Sequence, residues 1–210
     1  MKRFQLSNIA AGGFASAGTW LFACFIHSNT VFGIAGLIIT SLCISFYAGG
    51  FTDLIKIIGL YEYNLKLILY SIIFILAGIA LGIYSNLWHH KPSMPLSLTS
   101  TAFIVAAVGI TEELVFRGFI QGAFSKTSHW FGILAASGSH SIYKVLVLWS
   151  FTVNLNIDLF DLALYTFAVG LLAGLVRKIS GSIIPSALGH MCFDIVVYGS
   201  LLEVPVWVWG

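Results

Sequence analysis

Apolar residues fill seven long runs, at about 8–26, 31–50, 65–84, 98–123, 130–152, 159–177 and 182–200. A helix needs roughly 20 apolar residues to cross the hydrocarbon core of a bilayer, and each run is of that order. The breaks carry turn chemistry or charge, as in His27-Ser28-Asn29, the stretch from Ser85 to Pro95, and the stretch from Asn154 to Asp158. Phe51 to Asn64 has another character. It sets Asp53, Lys56 and Glu62 among Leu54, Ile55, Ile57, Ile58 and Leu60, the pattern of a short helix lying on the membrane surface. Lys2 and Arg3 before the first run imitate a secretory signal. That run is as long as a full span and more spans follow, so it reads as a retained first helix. The pattern predicts an all-α, polytopic transmembrane helix bundle of about seven spans.

Composition fits the same solvent. Of 210 residues, 59% are hydrophobic and 9% charged, with a mean hydropathy of +0.97. A soluble domain carries about a quarter of its residues as charges, so the bilayer must solvate most of this surface. A net charge of +2 with no basic run excludes nucleic acid as a partner. Cys24, Cys43 and Cys192 are odd in number, lie in apolar stretches and form no C-x-x-C pair. That disfavours disulfides and zinc–thiolate sites and leaves them as small packing residues. Seven spans with a cytoplasmic N-terminus put Lys2, Arg3, Lys56, Lys66, Lys126, Arg177 and Lys178 inside and only Lys91 outside, in keeping with the positive-inside rule. The C-terminus, near Trp207 and Trp209, is then expected outside.

Against this background the ionisable residues within spans stand out, since each costs about 2.5–3.5 kcal/mol on insertion scales. They are Glu112, Glu113 and Arg117 in span four, His140 and Lys144 in span five, Asp161 near the outer end of span six, and His190 and Asp194 in span seven. At about 1.5 Å per residue, Glu112 lies roughly 18 Å, His140 roughly 15 Å and His190 roughly 12 Å from the cytoplasmic ends of their spans, with Asp194 one turn deeper. Similar depth on three helices predicts one buried polar site between spans four, five and seven.

Local spacing suggests roles. Glu113 and Arg117 are i, i+4 and can pair along an α-helix. Glu112 points roughly 100° away and has no local partner, which makes it the candidate general base. His190 and Asp194 are also i, i+4. The bland reading of Glu-Glu-Arg is an ion cluster that locks the helix. Lys144 is expected to snorkel outward or to pair with Asp158 or Asp161. Gly118 with Gly122, and Gly170 with Gly174, have helix-packing spacing. His89 and His90 are expected to be solvated in an outer loop.

These residues resemble a known family. Glu112-Glu113-Leu114-Val115-Phe116-Arg117 resembles the EExxxR motif of the CPBP family, the CAAX proteases and bacteriocin-processing proteins. His140 resembles the histidine of its FxxxH motif, and His190-Met191-Cys192-Phe193-Asp194 its third motif, Hxxx followed by Asn or Asp. Order and spacing agree over residues 98–200. The chain departs from the pattern at Ala136, where the family has phenylalanine. The resemblance implies a catalytic core over 98–200, and the chain then divides into N-terminal membrane helices with the interfacial piece (1–97), that core, and a short tail (201–210). It also implies an intramembrane endopeptidase in which Glu112 and His140 activate water, His190 and Asp194 hold the oxyanion, and Glu113 and Arg117 support the geometry. An ionised Asp194 would repel that oxyanion, so it would have to be protonated or act by orienting His190.

Other readings remain open from sequence. Glu112, His140, His190 and Asp194 also compose a zinc set of two imidazoles and two carboxylates, but the HExxH spacing is absent, and a cofactor-free mechanism is favoured. A non-catalytic scaffold or bacteriocin-immunity protein would have little use for every polar motif residue. A small transporter would show paired repeats and broken helices, which are not found. The expected partners are the bilayer and a membrane-anchored or lipidated protein substrate.

Overall fold

A computed structural model describes residues 2–28, 30–48, 55–56, 64–150, 158–204 and 208. It is all-α. Its helices are α1 (Lys2–Phe25), α2 (Thr30–Ala48), α3 (Leu65–Trp88), α4 (Thr101–Glu113), α5 (Gln121–Ser125), α6 (His129–Trp149), α7 (Leu159–Ser180) and α8 (Ile184–Tyr198). A π-helical segment, Leu114–Ile120, joins α4 to α5, so these three pieces occupy the place of the fourth apolar run. Among the described residues, α3, α6 and α7 are long and apolar enough to cross a membrane, and Val31–Ile44 and Ile184–Tyr198 are shorter apolar helices. The protein is an integral, multi-pass membrane protein. The expected surface helix at 51–64 falls outside the described residues except for Ile55, Lys56 and Asn64, and Trp207 and Trp209 also lie outside them.

Local chemistry sets the helix ends. Asn64 caps α3, its Oδ1 accepting from Leu67 N at 2.9 Å, which satisfies one of the open N–H groups of the first turn. The helix stops where His90 takes φ 55° and Lys91 N returns to Asn86 O at 2.8 Å. Gly181, at φ 75°, ends α7 with its N–H on Arg177 O, a left-handed cap that suits a residue without Cβ. Pro185 then sits in the first turn of α8, where its missing N–H would have had no partner.

The chain forms two compact units. One comprises Met1–Ile58, Phe116–Leu175 and Trp209–Gly210; the other comprises Gly59–Val115 and Val176–Val208. In the second, α8 packs on both α3 and α4. The α3–α8 crossing is a backbone contact: a Cβ on Gly78 would collide with the Gly189 carbonyl. Asn86 Nδ2 donates to Val196 O at 3.0 Å, and Thr99 N to Gly199 O at 2.9 Å, so polar groups tie α3 and the approach to α4 to the C-terminal end of α8. In the first unit, α1 packs on α2, α5 and α6. Trp20 Nε1 donates to Ser139 O at 3.0 Å, tying α1 to the turn of α6 that carries His140. Gly170 and Gly174 permit close approach on α7: Cβ atoms there would lie 3.0 Å from Arg117 Nη2 and from Gln121 Oε1. Gln121 Nε2 fixes that approach by donating to Gly174 O at 2.9 Å.

Lys144 departs from the expectation of an outward-reaching lysine. It is buried at 9% exposure, its Nζ 6.0 Å from the centre of the Tyr143 ring. Cation–π attraction offsets part of the desolvation that snorkelling would have avoided. His89 and His90 are exposed, as expected.

Candidate active site

In the second unit, α4 ends on Glu112 and Glu113, both buried, and α8 presents His190 and the buried Asp194. The imidazole lies among three carboxyl groups. His190 Nδ1 donates to Glu113 Oε1 at 3.3 Å. Its Nε2 lies 3.8 Å from Glu112 Oε2 and 3.7 Å from Asp194 Oδ2. Two helices thus bring together four of the residues singled out from sequence. The i, i+4 spacing on α8 places His190 and Asp194 on one face, and close α4–α8 packing supplies the two glutamates. That closeness depends on Gly109, one turn before Glu113. A Cβ there would run into Asp194 Oδ2 and lie 3.3 Å from His190 Cδ2. Sequence reasoning passed over Gly109, although a glycine one turn from a glutamate pair was the available signal.

In the first unit, Arg117 comes from the π-helical segment and is almost wholly buried, at 1% exposure. Its Nη1 donates to Nδ1 of the buried His140, on α6, at 2.6 Å. Phe116 stacks on the His140 ring with centroids 4.4 Å apart and planes 27° apart. Tyr143 lies next in the same aromatic group, 5.3 Å from Phe116 and 6.3 Å from His140. Ala136, where the family has phenylalanine, is a buried small residue of α6, and a phenyl face on His140 is supplied by Phe116. Sequence reasoning missed Phe116 as a positioning residue; its place between Glu113 and Arg117 was the only hint.

The helix that carries the first motif changes its hydrogen-bond register within that motif. Regular α spacing ends at Glu113. Beyond it the backbone is π-helical over Leu114–Ile120, with N–H groups reaching five residues back. Such segments concentrate at functional sites. Glu113, assigned from spacing to Arg117, has a hydrogen bond to His190 as well as its further interactions.

The four-residue zinc set fits poorly. A metal-bound histidine donates its other ring N–H to a carboxylate, a carbonyl or water. The other nitrogen of His140 instead receives a hydrogen bond from a guanidinium, which has donors only. Among the described residues, no three His, Cys, Asp or Glu groups are arranged to hold a metal ion. A cavity of about 490 Å³ lies elsewhere in the second unit, lined by residues such as Lys66, Lys178 and Gly181 and by none of the site residues.

Fold and site therefore define a multi-pass helical membrane protein with buried acid–imidazole groups. Residues 94–196 match the family model described as type II CAAX prenyl endopeptidase Rce1-like, and this part of the chain belongs to that family. No individual curated protein and no solved structure matches the chain. The family implies a protease.

Proposed function

We propose that this protein is a glutamate-dependent intramembrane endopeptidase that hydrolyses a peptide bond in a membrane-anchored or lipidated protein. The observation that carries the reading is the convergence of Glu112, Glu113 and Asp194 on His190 between α4 and α8. Three carboxyl groups buried around one imidazole are expensive in a membrane protein and are kept where they serve chemistry. Residues 98–200 form the catalytic core, a reading supported by the family match over 94–196.

Glu112 takes a proton from water as the water oxygen attacks the carbonyl carbon. The carbonyl π pair moves onto oxygen, where His190 and Asp194 stabilise it, Asp194 either in its protonated form or by orienting His190. When the intermediate collapses, the C–N bond breaks and Glu112 returns the proton to the leaving nitrogen. Water is consumed and Glu112 is regenerated, so the step needs no other reactant. Glu113 accepts from His190 Nδ1 and fixes which edge of that ring faces the reaction.

Because the family description names a prenyl CAAX endopeptidase, a farnesylated peptide with a CAAX terminus is the first substrate to offer. Reconstituted protein, stripped of metal with a strong chelator, is expected to cleave it. Activity that vanishes on stripping and returns only with zinc would overturn the metal-free mechanism. The uneven distribution of Lys and Arg supports a cytoplasmic N-terminus and an external C-terminus. Reporter fusions at both ends should report opposite sides, and two ends on one side would rule out seven spans.

A further inference from the structure

The cavity of about 490 Å³ in the second unit takes no part in the acid–imidazole site. It lies between the first turn of α3 and the last turn of α7, lined by Leu65 and Lys66 from the one and by Lys178 and Ile179 from the other. A volume of this size holds a small ligand, since such sites run from about 300 to 1,000 Å³. Two ammonium groups border one space, and no acidic residue is among the described residues that line it. Like charges around a shared space repel, and an anion between them removes that cost. The two lysines differ in what their own helices explain. Lys178 is in the last turn of α7, where a cation complements the negative end of the helix, and it has other interactions besides. Lys66 is in the first turn of α3, which carries no acidic residue. That end of a helix favours an anion, so a cation there works against its own helix. Apolar side chains complete the lining. Leu65 is 80% and Ile179 42% exposed, and the exposed Ile68 and Leu69 continue the face of Leu65 one turn further along α3. A ligand that meets both the lysines and this apolar strip carries an anionic group and a hydrocarbon chain.

We propose that the cavity binds the head group of an anionic phospholipid, with its phosphate between Lys66 and Lys178 and its acyl chains along Leu65, Ile68 and Leu69. The site is separate from the protease reading and stands or falls without it. On the orientation proposed above, both lysines face the cytoplasmic leaflet, where anionic lipids concentrate and where basic pockets between membrane helices hold such head groups. A free phosphate would meet the same ammonium groups but leave the apolar strip unused, which favours the lipid. One bound lipid then ties the start of α3 to the end of α7 within the second unit.

Native mass spectrometry of the delipidated full chain in detergent tests this, by comparing retention of phosphatidylglycerol with that of phosphatidylcholine bearing the same acyl chains. One lipid is expected to stay bound, with phosphatidylglycerol preferred about tenfold or more. A lysine beside an anionic head group is worth about fivefold in binding, so Lys66→Gln and Lys178→Gln should each lose about that factor and the double variant about 25-fold. Lys91→Gln, which removes an exposed charge away from the cavity, is expected to leave retention unchanged. Equal retention of the two lipids by the unmodified protein would overturn the proposal without recourse to any variant. So would a double variant that retains phosphatidylglycerol as well as Lys91→Gln does. Inorganic phosphate is expected to displace the lipid no better than chloride at the same ionic strength; specific displacement by phosphate would reveal a free-anion site and overturn the lipid assignment.

Discussion

Glu112→Gln is expected to abolish turnover while leaving the protein folded and inserted. The substitution keeps the shape of the side chain and removes its ability to accept a proton. Loss of a general base typically lowers the rate about 10²–10⁴-fold. Stability should change far less. Glu112 ends α4 at 5% exposure, 3.8 Å from His190 Nε2, beyond hydrogen-bonding distance, and an amide can occupy the same space. Thermal unfolding in detergent and initial rates on one preparation separate the two effects. Near-normal turnover in Glu112→Gln, with a folded but inactive Glu113→Gln, would mean that the two glutamates have been assigned in the wrong order.

Arg117→Met should show the opposite profile, with stability as the main casualty. Arg117 is buried at 1% exposure, bonded to His140 and engaged in further polar interactions. Removing one member of a buried charged network strands its partners, at about 3–5 kcal/mol. The expected result is a marked fall in Tm and in membrane yield. Arg117→Lys retains the charge but not the planar fork, and should fall between Arg117→Met and the unmodified protein. If Arg117→Met unfolds at the wild-type temperature, the guanidinium has no structural role and its place beside His140 would need another account.

The contrast between these variants reflects what a linear sequence can carry. Bilayer-spanning helices were legible because apolar runs and their polar breaks are local properties: the run at 159–177 corresponds to Leu159–Ser180, and that at 130–152 to His129–Trp149. Candidate residues were legible because charge in such runs is costly wherever it occurs. The π segment was not legible, since Leu114–Ile120 has the hydropathy of any apolar helix and differs only in which carbonyl each N–H reaches. Nor could spacing along one helix reveal that Glu113 meets His190, 77 residues away in the chain. That contact follows from the packing of α4 on α8, and the packing depends on Gly109, whose contribution lies in the absence of a side chain. Lys144 misled for a related reason. Its length allows an outward reach, and only the tertiary neighbourhood shows it lying over Tyr143.

Glutamate-dependent cleavage of membrane proteins can be measured without guessing the substrate. Peptide termini in membranes from cells expressing the intact protein would be compared with those from cells expressing Glu112→Gln at equal abundance. New termini next to membrane anchors or lipidated segments, present with Glu112 and absent with Gln, are the predicted result. Identical sets of termini, from two proteins shown to be folded and inserted, would contradict the protease reading.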